Sequence, residues 1–131
     1  MSTKSKGINA ERELIHLFWQ NNWVAVRIAG SGSSHYPSPD ILASNNKRKL
    51  AIEAKLTKDQ KKYFSEQEIE QLKLFSVKFG AEPWIAIKFK REKWYFLKLI
   101  DLERTSGGFV ISNQLAKNKG LSFKSLINDF Y

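Results

Sequence analysis

The run LAIEAKL at residues 50–56 constrains this chain more than any other stretch, because it places a glutamate and a lysine inside an otherwise apolar, strand-like segment. The side-chain period of two puts Leu50, Ile52 and Ala54 on one face and Lys49, Ala51, Glu53 and Lys55 on the other. Strand-like runs recur around it. WVAVRIA at 23–29 alternates Val24, Val26 and Ile28 against Arg27, as a half-buried strand does. DILA at 40–43 leads through the polar turn SNNKRK into the 50–56 run, and PWIAIKF at 83–89 and WYFLKLI at 94–100 read as a hairpin about the four-residue turn KREK.

Two helices complete the pattern. NAERELIHLFWQNN at 9–22 repeats Leu14, Ile15 and Phe18 at three- and four-residue spacing, which projects Glu11 toward the same inner face. SEQEIEQLKLFSVKFG at 65–80 opens on Ser65 with Glu68 three residues later, a capping box, and stops at Gly80. Its apolar stripe is Ile69, Leu72, Phe75 or Ser76, and Phe79. The order helix, three strands, helix, two strands implies an α/β layer architecture. Past Leu102 the patterning weakens, with GGFVIS at 107–112 as a short strand and SFKSLIND at 122–129 as a terminal helix.

A chain of 131 residues with 42% hydrophobic content is expected to form one domain with a core of its own. The 22 basic residues against 13 acidic ones give a net charge of +9, which favours a polyanionic partner, nucleic acid being the commonest. A merely soluble basic surface is the plain alternative. The absence of cysteine excludes disulfides and thiolate metal sites and points to a cytoplasmic setting. No apolar run reaches the roughly 18 residues that span a bilayer, and MSTKSKGINAERE lacks the hydrophobic region of a signal peptide, so no membrane association is expected. GSGSSHYPSP at 30–39 is a loop that lacks both the third glycine of a dinucleotide fingerprint and the Gly-Lys-Ser/Thr of a P-loop.

Asp40 and Glu53 are separated by enough chain for one strand, a turn and a return strand, so a meander brings the two carboxylates side by side. Such a pair repels itself unless a divalent cation lies between, and hard oxygen ligands suit Mg²⁺. That ion can activate a water and stabilise charge on a phosphodiester, while Lys55, on the face of Glu53, orients the nucleophile or neutralises the phosphate. The plain reading makes Asp40 a turn residue and Glu53 with Lys55 a solvated pair. Against it, Asp40 sits between a proline and an apolar strand, and Glu53 between Ile52 and Ala54.

PD at 39–40 followed by EAK at 53–55 resembles the PD-(D/E)xK nuclease superfamily. The fuller set, KGINAEREL at 6–14, VRIAGSGSS at 26–34, PDI, AIEAK and LFSVKFGAEPWIAIKF at 74–89, resembles the archaeal Holliday junction resolvases over about residues 6–104. The resemblance makes 1–131 a single α/β nuclease domain with a restriction-endonuclease-like core, a mixed sheet of about five strands flanked by helices, and 105–131 as a C-terminal extension. It implies a homodimeric, Mg²⁺-dependent endonuclease, with Mn²⁺ able to substitute, that cuts four-way DNA junctions by paired nicks in recombination and repair. It assigns Glu11, Asp40 and Glu53 to the metal site with the Ala54 carbonyl as a further ligand, Lys55 to the transition state, and Ser31 to the neighbourhood of the scissile phosphate. Arg12, Arg27, Ser33 and His35 are then candidate DNA contacts, although Ser31 also reads as a turn residue and both arginines as solvated ones. Phe75 and Phe79 are explained by a core stripe alone, whereas the resemblance implies a dimer interface. A duplex or nicking endonuclease, and a non-catalytic DNA-binding module on the same fold, are the competing functions.

The final residues, KSLINDFY at 124–131, space Lys124, Ile127, Phe130 and Tyr131 as a sliding-clamp ligand spaces its glutamine, aliphatic anchor and two aromatics, with lysine in place of glutamine. A terminal helix folded back on its own domain is the other reading.

Overall fold

The structure is a computed structural model that describes residues 3–30 and 35–128. Helix α1 (Thr3–Gln20) precedes strands β1 (Val24–Arg27), β2 (Ile41–Ser44), β3 (Lys49–Thr57) and β4 (Lys61–Ser65). Helix α2 (Glu66–Phe79) leads to β5 (Glu82–Phe89) and β6 (Trp94–Leu97); β7 (Glu103–Thr105), β8 (Gly108–Ser112), α3 (Asn113–Lys119) and α4 (Phe123–Asn128) complete the described chain. The main sheet has the order β1-β2-β3-β5-β6, with β3 and β5 parallel and its other pairs antiparallel. A second sheet, β4-β8-β7, is antiparallel throughout.

The alternation in β3 separates two cores. Leu50 and Ile52 face α1, packing with the fully buried Leu14 and Phe18, and Leu126 of α4 joins the same cluster. Ala51 faces the opposite way, toward Ile69 and Leu72 of α2 and Phe64 and Ile111 of the second sheet. Burying one such Leu or Phe side chain stabilises the fold by about 2 kcal/mol. The sequence 105–128 is thus woven into both layers. Gly108 is required there: a Cβ would fall 2.1 Å from the Phe64 carbonyl oxygen of the adjacent strand.

The second helix forms as its ends dictate. Ser65 caps α2, its hydroxyl accepting from the Glu68 N–H at 3.1 Å while the Glu68 carboxylate accepts from the Ser65 N–H at 3.2 Å. Gly80 closes the helix in the left-handed region at φ 82°. Elsewhere the structure departs from the pattern. Helix α1 starts at Thr3, in a polar turn with no apolar periodicity to announce it. In β1 the alternation holds but the faces are reversed from the usual order: Ala25 is buried and Arg27 points inward, while Val24 and Val26 are more than half exposed. The WYFLKLI strand ends at Leu97, and residues Leu99–Asp101 form one turn of 3-10 helix.

Arg48, in the β2–β3 turn, ties distant segments together. Its guanidinium donates twice to Glu82, at 2.8 Å each, and to the Leu126 carbonyl at 2.6 Å, and it lies over the Trp23 ring. No helix among the described residues is long and apolar enough to cross a membrane.

Candidate active site

Strands β2 and β3 pair from Ile41 opposite Ile52 to Ser44 opposite Lys49, and β3 then runs on past the start of β2. Asp40 sits where the pairing ends. Its N–H donates to the Ile52 carbonyl at 3.0 Å, and its carbonyl accepts from the Ile28 N–H at 2.8 Å. The side chain occupies the edge that β2 leaves open, Oδ2 accepting from the Ala54 N–H at 2.9 Å. Backbone groups of alternate strand residues point the same way, so the Ala54 carbonyl looks onto that edge beside Asp40. Asp40 is thereby fixed through both backbone and side chain.

Glu53 and Lys55 share the α2-facing side of β3, with Nζ 3.6 Å from Oε2. Burial, then the charge of Asp40, pushes the Glu53 carboxyl up to about 7; Glu68 adds to the rise and Lys55 opposes it. Glu11, on the inner stripe of α1, accepts from Arg27 Nε at 2.8 Å. Its carboxyl is raised by burial and by Asp40, with Arg27 and Lys55 working the other way. Asp40 therefore stands electrostatically between Glu53 and Glu11.

Two carboxylates on neighbouring backbone positions, one raised to about 7 by burial and then by the charge of the other, suit a hydrated divalent cation of the hard, oxygen-seeking kind. Among the described residues no group of three or more His, Cys, Asp or Glu side chains is placed to hold a metal ion. The fit therefore rests on Asp40, Glu53 and the Ala54 carbonyl, with Glu11 engaged by Arg27.

Of the remaining sequence candidates, Arg12 is exposed one position beyond Glu11, and His35 is exposed at the end of the 31–35 stretch. Ser31, Ser33, Phe130 and Tyr131 lie outside the described residues. Phe75 and Phe79 stack, with centroids 5.2 Å apart and planes at 19°. Phe75 leans on the α2-side core, whereas Phe79 is 50% exposed. Ile127 packs partly against the α1-side core, next to the fully buried Leu126.

The sequence did not reveal that Arg27 is the counter-ion of Glu11, nor that the Ala54 amide holds Asp40. The first needs the helix-to-strand approach; the second follows from the meander once Asp40 is seen to end it.

A model of the archaeal Holliday junction resolvase family matches residues 2–130. The chain belongs to this family. It is similar to the crossover junction endodeoxyribonuclease Hjc of Archaeoglobus fulgidus, 45% identical over 112 residues that cover 86% of this chain and 82% of that one. Over 94 residues, 70% of each chain, it is 40% identical to the crossover junction endodeoxyribonuclease Hje of Saccharolobus solfataricus. The crystal structure of Archaeoglobus fulgidus Hjc, a Holliday junction resolvase, superposes with a TM-score of 0.88 at 40% identity, covering 94% of this chain and 99% of that one.

Proposed function

We propose that the chain resolves four-way DNA junctions by divalent-metal-dependent hydrolysis of phosphodiester bonds. The observation that carries the chemistry is the pairing of Asp40 with a Glu53 whose carboxyl is raised to about 7, beside Lys55. Asp40, Glu53 and the Ala54 carbonyl would hold the cation, Mg²⁺ or Mn²⁺, while Glu11 is paired with Arg27. When bound, the cation supplies Lewis-acid stabilisation of the charge that builds on the scissile phosphate.

The chain's own residues do the rest. Lys55, two residues beyond Glu53, offers an ammonium to the phosphate in transit, where a fixed cation in a partly dry site acts most strongly. Arg27, held by Glu11, and Arg12, exposed on α1, offer guanidinium forks to neighbouring phosphates. In a parallel incubation of labelled four-way junction, duplex and single strand with Mg²⁺, junctions should be cut by paired symmetric nicks and duplex spared. Equal cutting of duplex would make the protein a general nuclease, and binding without cutting would make it a non-catalytic DNA module.

Paired nicks require two sites facing one junction, hence a two-fold dimer. Val24, Val26, Leu74, Val77 and Phe79 are all substantially exposed. Val24, Val26 and Phe79 line a shallow cavity of about 220 Å³ between the main sheet and the end of α2. Apolar surface grouped in this way supports an isologous interface there. Phe79→Asp should shift the protein from dimer to monomer in sedimentation at micromolar concentration; a dimer that survives would place the interface elsewhere. We assign α4 to the domain itself, because a sliding clamp could take Ile127 only by drawing it from its seat beside Leu126.

A further inference from the structure

The corner between β3 and β4 carries cations that the site above does not use. Beyond Lys55 the chain reads Leu56, Thr57, Lys58, Asp59, Gln60, Lys61, Lys62, Tyr63, with three lysines and a single acid. Lys58 and Lys61 are exposed, Tyr63 is 62% exposed and Leu56 41%. Tyr63 contributes little to the fold, since Phe64 makes the core contact for this strand.

Hydrogen bonds tie the backbone of the corner. The Thr57 hydroxyl accepts from the Asp59 N–H at 3.1 Å, and the Gln60 carbonyl accepts from the Asn113 N–H at 2.8 Å. Asn113 is held in turn, its Nδ2 donating to Glu92 at 2.8 Å. Strand β4 then pairs with β8 from Lys61 opposite Ser112 to Ser65 opposite Gly108, so that Lys61, Tyr63 and Ser65 share one face and Phe64 takes the other. That row ends at Ser65, the cap of α2, whose first turn brings Glu68 within electrostatic reach of Glu53. Side chains on one strand face recur about every 6.7 Å, so Lys61 lies roughly 13 Å along the strand from Ser65.

We propose that the β3–β4 corner is a second DNA-backbone anchor, in which Lys58 and Lys61 meet phosphates of a duplex arm leaving the active site on the Lys55 side and Tyr63 packs against its sugars. The proposal rests on the nuclease reading above. Cations interleaved with an exposed aromatic fit a polyanionic backbone better than a folded protein partner. Because hydrogen bonds already hold the backbone of the corner, the ordering left for DNA to impose is that of the Lys58, Lys61 and Tyr63 side chains.

The test is equilibrium binding of the full chain to a four-way junction and to an isolated duplex arm over a range of KCl concentrations without divalent metal. K58A/K61A should weaken junction binding about tenfold or more at low salt and flatten the plot of log affinity against log salt by about one for each lysine that meets a phosphate. Y63A should weaken binding with the slope retained, and K58R/K61R should restore both slope and affinity. Wild-type affinity and slope in K58A/K61A, or wild-type affinity in Y63A, would overturn the assignment. So would a loss of affinity in K58A/K61A that comes with a lowered melting temperature and an unchanged slope. A wild-type protein that cuts no junction would refute the proposed function, yet the slope comparison would still decide this one.

Discussion

Asp40→Asn and Glu53→Gln should each reduce junction cutting by about a thousandfold or more while leaving junction binding close to wild type. The two properties rest on different residues. Cutting needs the negative charge of the Asp40 and Glu53 pair, whereas binding needs the phosphate-facing cations. The substitutions are chosen to spare the fold. An asparagine at position 40 keeps an oxygen that can accept from the Ala54 N–H, so the end of β2 stays closed on β3. A glutamine at 53 keeps the volume of a side chain that is only 24% exposed. Lys55→Ala should lose about two to three orders of magnitude in cutting by the same reasoning. Single-turnover assays with each variant in excess over labelled junction, alongside gel-shift affinities, check all three. Wild-type cutting in either acid variant would remove the carboxylate pair from the chemistry. A parallel collapse of binding would mean that the acids serve the fold instead.

What the sequence could reveal of this arrangement depended on distance along the chain. The α2 boundaries were legible because Ser65, Glu68 and Gly80 act within one or two turns of each other. The meeting of Asp40 with Glu53 was legible for a related reason: a short turn joins β2 to β3, and alternation fixes which residues emerge on which side. Arg27 was not legible in the same way. Its strand reads as two valines that ought to be buried, but β1 lies at the edge of the sheet, with its valines on the exposed apolar surface beside Phe79 and its arginine turned in to neutralise Glu11. The second sheet left fainter signals still. Strand β4 has one core residue, Phe64, and β7 is a three-residue polar segment, so both exist because β8 pairs with them rather than because of their own pattern. Arg48 sits in a turn that looks solvated, and its partners Glu82 and Leu126 lie 34 and 78 residues away.

The buried glutamate that serves cutting should also weaken the metal-free fold, and by an amount that pH reveals. In the folded chain the Glu53 carboxyl titrates at about 7, against an ordinary value of 4.5. The folded state thus holds this proton more tightly than the unfolded chain. Its stabilising contribution is complete below pH 4.5, declines as the unfolded chain alone ionises, and is gone once pH has risen through about 7. That difference in proton affinity corresponds to about 3 kcal/mol. Glu53→Gln removes the titration, so variant and wild type should have similar stability at pH 4.5. At pH 8 without divalent metal the variant should be ahead by about 3 kcal/mol, or about 10 °C in melting temperature for a chain of this size. Added Mg²⁺ should narrow the gap at pH 8 by stabilising wild type alone, because a ligand that binds only the folded, ionised pair raises stability by mass action. Thermal melts of the two proteins at both pH values, with and without Mg²⁺, measure each quantity. If the difference between them stays constant from pH 4.5 to 8, Glu53 ionises as freely in the fold as in water, and the burial and crowding of charge that prepare the site for a cation are not there.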